Sequence, residues 1–222
     1  PGAGEIVGQL LVRDPRIAGI AFTGGTDTAQ AINRQLAARG GPMVPLIAET
    51  GGQNVMIADS TALPEQVVAD AVRSAFNAAG QRCSALRVLY VQSDIADKVI
   101  AMLAGAMAEL LFGDPGLIET DVGPGIDDEA RRMLAAHAAR MAAEGRRVGM
   151  TALRAASPHG FFFPPHAFEI DGIERLRREV FGPILHVVRF AGGRLDAVVD
   201  AANATGFGLT FGVHSRIDDT VR

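Results

Sequence analysis

RIAGIAFTGGTDTAQAINRQLAAR, residues 16–39, sets the class of fold. A short apolar run ends at Gly24-Gly25, and a Thr/Asp start then opens a segment with helical periodicity. A strand that turns straight into a helix is the repeating unit of α/β sheets. The pattern continues outward. PLIAETGGQNVMIAD (45–59) reads as two short strands around a Gly-Gly turn. PEQVVADAVRSAFNAAG (64–80) places Val68, Val72, Ala75, Phe76 and Ala79 on one helical face. Pro64 suits its first turn and Gly80 its stop. LRVLYVQ (86–92) is a strand, SDIADKVIAMLAGAMAELLFG (93–113) a helix, and DDEARRMLAAHAARMAAEG (127–145) a helix with an acidic first turn. ILHVVRF (184–190) and LTFGVHS (209–215) are strands, with the helix RLDAVVDAANATG (194–206) between them. Residues 152–165 read as loop. Strands alternating with helices predict an α/β fold with largely parallel sheets.

Composition bounds the function. Hydrophobic residues make up 48% of the 222, enough for a substantial core. Polar residues interrupt every apolar stretch before membrane-spanning length, and the opening PGAGEIVGQL carries no signal-peptide pattern. A net charge of −4 without a basic tract argues against nucleic-acid binding. One cysteine excludes an internal disulfide framework and predicts a reducing, cytoplasmic setting. Lys98 is the sole lysine and reads as a genome-composition bias. The first residues lead directly into helical spacing (Ile6, Val7, Leu10, Leu11), and DDTVR starts a helix at the end. The chain is therefore expected to be a piece of a longer protein.

Three places carry candidate chemistry. AFTGGTDTA joins a strand to a helix N-terminus through glycines, an arrangement suited to a phosphate. It equally suits a plain strand-to-helix turn, being neither GxGxxG nor a lysine-bearing phosphate loop. Glu49 falls at the tip of an apolar strand, where α/β proteins build sites. Half-buried there, it would serve as a general base; alternatively it caps a turn or pairs with an arginine. Cys83 lies in a short helix-to-strand loop flanked by Arg82 and Arg87, a setting that favours a reactive thiolate. Free cysteines are also commonly buried and inert.

Taken in order, FTGGT, ETGG and GQRC resemble the motif series of the aldehyde dehydrogenase superfamily, with Glu49 and Cys83 thirty-four residues apart (83 minus 49). EVFGPILHVVRF is similar to the family's E-x-F-G-P segment, and NATGFGLTFGVHSR to its return strand. Residues 45–92, together with GDPG and TDVGPGIDDEA further on, more narrowly resemble the L-glutamate γ-semialdehyde dehydrogenase module of bifunctional proline-catabolic enzymes of the proline utilization A type. The resemblance covers essentially the whole chain.

That resemblance implies roles. Cys83 is the nucleophile and Glu49 the base that activates water for thioester hydrolysis. Glu179 hydrogen-bonds the nicotinamide ribose of NAD, and Phe181 positions the nicotinamide ring. Thr23, Gly24, Gly25 and Thr26 lie along the cofactor's phosphates, and Ser84 contacts the substrate's carboxylate. No metal is implied. The implied domains are residues 1–48 as part of an NAD-binding domain, 49–207 as the catalytic α/β domain, and 208–222 as a segment returning towards the cofactor domain. Glu49 and Cys83 are then expected to face the crevice between domains. A fused proline dehydrogenase domain with FAD, outside these residues, and a homo-oligomeric parent are also implied. The family's oxyanion-hole asparagine and adenosine-side lysine are expected before residue 1, and its substrate-anchoring loop after residue 222, so this piece alone should turn over little. Gly25 departs from the family's usual serine, removing one polar contact and predicting a looser turn. The alternatives are another aldehyde as substrate or a non-catalytic scaffold; a papain-like hydrolase would need its cysteine at the start of a helix. His137 reads as a solvated mid-helix residue, His159 and His166 as loop residues, and Phe161 to Phe163 as a run buried against a sheet.

Overall fold

The computed structural model describes residues 2–152 and 160–221. His159 and part of the loop expected over 152–165 lie outside the described residues. The chain divides into two compact units, Pro1–Gly51 and Gly52–Arg222.

The first unit comprises helix α1 (Gly4–Arg13), strand β1 (Ile20–Thr23), helix α2 (Thr26–Ala38) and strand β2 (Leu46–Glu49). β1 and β2 form a two-stranded parallel sheet in which Thr23 stands beside Glu49. Among the unit's described residues only Val12 and Ala29 are buried apolar side chains, while Ile6, Leu10, Leu11, Met43 and Ile47 are exposed. Two strands offer too little surface for a large core. Arg39 ties the far end of α2 to the α1–β1 connection through the carbonyls of Asp14 (2.9 Å) and Ile17 (3.1 Å).

The second unit holds β3 (Val55–Ala58), α3 (Pro64–Phe76), β4 (Val88–Gln92), α4 (Ser93–Glu109), α5 (Asp128–Glu144), β5 (Arg146–Met150), β6 (His166–Glu169), β7 (Ile184–Phe190), α6 (Leu195–Asn203) and β8 (Phe211–His214). Six strands form one sheet in the order β5-β6-β7-β4-β3-β8, parallel throughout except for the β5–β6 pair. Side chains alternate across its two buried faces, as a sheet covered on both sides requires. Leu89, Val91, Leu185 and Val187 join Val68, Phe76, Leu103 and Met107 of α3 and α4 in one core. Val88, Tyr90, Ile184 and Val188 join Leu134, Met141 and Val198 of α5 and α6 in the other. None of the described helices is long and apolar enough to cross a membrane.

Several elements differ from the sequence expectation. α4 stops at Glu109, because residues 110–113 pair with 121–122 instead: Leu111 N–H donates to the Asp121 carboxylate (2.8 Å), and Phe112 bridges Val122. That pairing buries Phe112 and Val122. β5 and β6 were not expected; RRVGM is too polar and HAFE too short to read as strands. Of the phenylalanine run only Phe163 is fully buried, while Phe161 is exposed. Glu49 lies in the first compact unit, where β2 pairs with β1. β8 lies within the second unit, where it hydrogen-bonds to β3.

His137 is not solvated. It is half-buried against the sheet, with its Nε2 2.9 Å from Nε2 of the fully buried His186. His186 Nδ1 lies 3.0 Å from the Arg87 carbonyl oxygen, which only accepts, so Nδ1 carries the proton and Nε2 is the acceptor. His137 therefore donates from Nε2 and accepts from Arg140 Nη2 on Nδ1 (3.3 Å). A proton added to either ring sets two N–H groups against each other. Burial, and then His137, push His186 down to about 3. Burial, and then Arg140 and Arg178, push His137 down to about 4. In the unfolded chain both titrate near ~6.5. Above that pH the native state keeps the full contribution of the neutral pair. As the pH falls towards 4 and then 3, the unfolded state takes up protons first and the contribution is lost. Urea midpoints are expected to record a loss on the order of 3 kcal/mol across this window. His137→Phe should show a shallower slope over the same range; an unchanged slope would show that the pair does not titrate as described.

Candidate active site

Cys83 sits at the amino end of the second unit's sheet, in the turn between α3 and β4. The chain reaches it through Ala78, Ala79 and Gly80, three consecutive residues with φ of 54°, 54° and 64°. Alanine rarely adopts this left-handed conformation, and it persists only where neighbours hold it. The turn is held from below. Asn54, buried at the start of β3, donates from Nδ2 to the carbonyls of Cys83 (2.7 Å) and Ala85 (2.8 Å), and accepts from Thr210 N–H (3.1 Å). Gln81 donates to the carbonyls of Ala78 and Pro124, both at 3.2 Å. With its carbonyls drawn inward, the turn presents Cys83 as an exposed residue and Ser84 as a half-buried one. Among the described residues neither the Cys83 nor the Ser84 N–H donates a hydrogen bond. An exposed thiol beside free backbone donors is an arrangement that can stabilise an oxyanion formed at the sulfur-bound carbon.

Glu179 and Phe181 join this turn through Arg87. The sequence reading placed Arg87 beside the thiol as a neighbouring charge. The structure buries its side chain to 1% exposure and pairs it with Glu179 at 3.0 Å. Its guanidinium also lies 5.4 Å from the centre of the exposed Phe181 ring. Burial pushes the Arg87 guanidinium below the ordinary arginine range, and the Glu179 carboxylate opposes that shift. Arg82 donates from Nη2 to the Ser74 carbonyl at 3.2 Å.

The first unit gathers the other candidates at the carboxyl ends of its two strands. Thr23 and Glu49 are register neighbours, and Gly24 N–H donates to the Glu49 carbonyl (3.1 Å). Glu49 is exposed rather than half-buried, because β2 is paired on one edge only. A Cβ at Gly24 would lie 2.5 Å from the end of the Phe22 ring, which would have to move to admit it. At Gly25, which caps α2 without a side-chain hydrogen bond, an added Cβ meets nothing within 4 Å. A serine would fit that space, and the turn keeps an ordinary cap geometry, φ −69° and ψ 146°, without it. Thr26 is half-buried at the first turn of α2, whose leading N–H groups have no side-chain acceptor.

The candidates thus form two groups, one in each unit. Two residues that hold the second group escaped the sequence reading. Gln53 is buried and donates to the carbonyls of Leu176 and Arg178, both at 3.3 Å, which fixes the chain entering Glu179. Asn54 fixes the turn of Cys83. Their signal was a Gln-Asn pair directly before a four-residue apolar strand, where amides must be buried and need partners.

A sequence model of the aldehyde dehydrogenase family matches residues 1–222. The bifunctional protein PutA of Klebsiella aerogenes is 50% identical over 230 residues, covering 100% of this chain and 18% of that protein. A crystal structure of a bifunctional proline utilization A protein superposes with a TM-score of 0.93 at 55% identity, over 99% of this chain and 22% of the other. A 1-pyrroline-5-carboxylate dehydrogenase from Thermus with bound NAD gives a TM-score of 0.88 at 30% identity, over 100% of this chain and 43% of the other. The chain spans about a fifth of the length of the PutA proteins it matches. On its fold, its two groups of residues and these likenesses, the chain belongs to the aldehyde dehydrogenase family.

Proposed function

We propose that the protein carrying this chain oxidises L-glutamate γ-semialdehyde to L-glutamate with NAD, the second step of proline catabolism. The observation that carries this reading is the match over the whole chain to proteins named PutA and to a 1-pyrroline-5-carboxylate dehydrogenase with bound NAD. The first unit would be part of the cofactor domain and the second the catalytic domain. A fused proline dehydrogenase domain using FAD would supply the substrate, in keeping with the bifunctional relatives.

The residues present fit a dinucleotide. Gly24 keeps the turn free of a side chain, Gly25 leaves open space, and the uncapped start of α2 favours an anion. Thr23, Gly24, Gly25 and Thr26 would line the phosphates. Glu179, with one oxygen on Arg87, would offer the other to a ribose hydroxyl, and Phe181 would lie beside the nicotinamide ring. NAD, when bound, supplies the hydride acceptor.

Cys83 would attack the aldehyde carbon as the thiolate, forming the C–S bond and leaving a negative charge on the former carbonyl oxygen. The Cys83 N–H is free to donate to that oxygen. This step matters because an aldehyde carbon releases hydride readily only once it is tetrahedral. Loss of the hydride leaves a thioester on Cys83. Glu49 would then take a proton from water as the water attacks that carbon, and the C–S bond would break to release L-glutamate and the thiol. Ser84, next in the turn, would contact the substrate's carboxylate.

NADH formation by the full-length protein with L-glutamate γ-semialdehyde, beside acetaldehyde and succinic semialdehyde, tests the reading; no NADH from any of them would end it. Cys83→Ala is expected to abolish oxidation while leaving NAD affinity nearly unchanged, as measured by calorimetry. Glu49→Gln is expected to slow thioester hydrolysis more than hydride transfer, so that stopped-flow records a burst of NADH before a slow steady state. An equal loss in both phases would remove Glu49 from the role of base.

A further inference from the structure

We propose that Arg87 is the positioning residue that fixes Cys83 and Glu179 in a single register, so that nucleophile and cofactor contact are set by one buried side chain. The inference rests on the roles proposed above for those two residues. Four of the five guanidinium N–H donors are engaged by two segments nearly a hundred residues apart in sequence. Nη1 donates to the carbonyls of Gly80 (2.9 Å) and Gly182 (3.0 Å), and Nη2 to the carbonyl of Arg82 (3.2 Å) and to Glu179 Oε1 (3.0 Å). One fork therefore grips the turn before Cys83 and the segment from Glu179 to Gly182.

Three further observations make the grip more than a surface pairing. The segments touch through their backbones, since a Cβ on Gly80 would lie 2.3 Å from the Gly182 carbonyl oxygen. Gly80 closes the run of left-handed residues, so its carbonyl is where that unfavourable geometry needs an anchor. Arg87 is itself immobilised through its backbone: its N–H donates to the Asn54 carbonyl (3.0 Å), and its carbonyl accepts from His186 N–H (2.9 Å). Glu179 Oε2 has no hydrogen-bond partner among the described residues, so Arg87 orients the carboxylate while leaving one oxygen free. Lysine cannot reproduce this. Its ammonium is a single point on a flexible stem, whereas the planar fork reaches four acceptors at once.

The test uses the full-length protein with Arg87→Lys, Arg87→Ala, Glu179→Gln and Cys83→Ala. Circular dichroism and thermal unfolding report the fold, NADH formation gives kcat and KM for NAD, and mass spectrometry follows iodoacetamide modification of Cys83. Folded Arg87→Lys is expected to lose about 10²-fold in kcat, the scale of a small misplacement of reacting groups. Its KM for NAD should rise and its rate of Cys83 modification should change as well. Glu179→Gln should raise KM for NAD with Cys83 modification unaltered, since it touches only one of the two segments. Added guanidinium should restore part of the activity of Arg87→Ala. Wild-type kcat, KM and modification rate in Arg87→Lys would overturn the proposal. So would activity losses in both Arg87 variants that follow the unfolded fraction and resist guanidinium, which would make Arg87 structural only. NADH formation by Cys83→Ala would instead sink the underlying site reading, whatever the Arg87 variants do.

Discussion

Arg87 gives up nearly all its water, and much of the second unit's arrangement compensates that loss. A buried cation is tolerated only with an opposite charge and with acceptors for its remaining donors. Glu179 provides the charge and three carbonyls accept from three more of its donors, leaving only the buried Nε without a partner among the described residues. Those carbonyls come from two irregular segments, Gly80–Arg82 and Gly182, that lead into β4 and β7. Desolvation here is therefore tied to topology. β4 brings Arg87 in from one neighbour, β7 follows the Glu179 segment from the other, and the two strands pair directly.

The sheet explains where the turn of Cys83 can be. β3, β4, β7 and β8 run parallel, so α3 and α6 cross back to the amino ends before β4 and β8 begin. Asn54, Cys83, Gly182 and Thr210 stand at those ends because each precedes its strand by one to five residues. In the first unit the corresponding candidates, Thr23, Gly24 and Glu49, stand at carboxyl ends instead. The candidate residues thus stand at the carboxyl ends of the strands in one unit and at the amino ends in the other.

Most of the helices and the apolar strands were legible, since β4, β7 and α3 bury continuous runs or one clear face. β5 and β6 were not, because an edge strand can be polar and β6 is only four residues, directly after two prolines. The end of α4 was misread for a different reason. LLFG continues the helical pattern, but a long-range pairing with Asp121 and Val122 outweighs local preference. Among site residues, Cys83 and Glu49 stood out through motif and spacing. The burial of Arg87, the amides of Gln53 and Asn54 and the His137–His186 pair depend on contacts between distant segments, which periodicity does not encode. Glu49 was expected half-buried because a strand tip suggests cover, yet β2 has a neighbour on one side only.

The contact between Gly80 and Gly182 carries a consequence for how this chain can vary. The glycine of the cysteine turn and the glycine of the Phe-Gly-Pro segment look like independent signatures when written along the sequence. In space they are one steric statement, a place where two main chains meet with no side chain between them. At position 80 the opposing carbonyl leaves no room for a larger residue, and the left-handed torsion angle disfavours one as well. At position 182 the obstacle is the flexible end of Leu134, so that side is the more forgiving one. Any drift in the pair is thus channelled through the second glycine and the helix that carries Leu134.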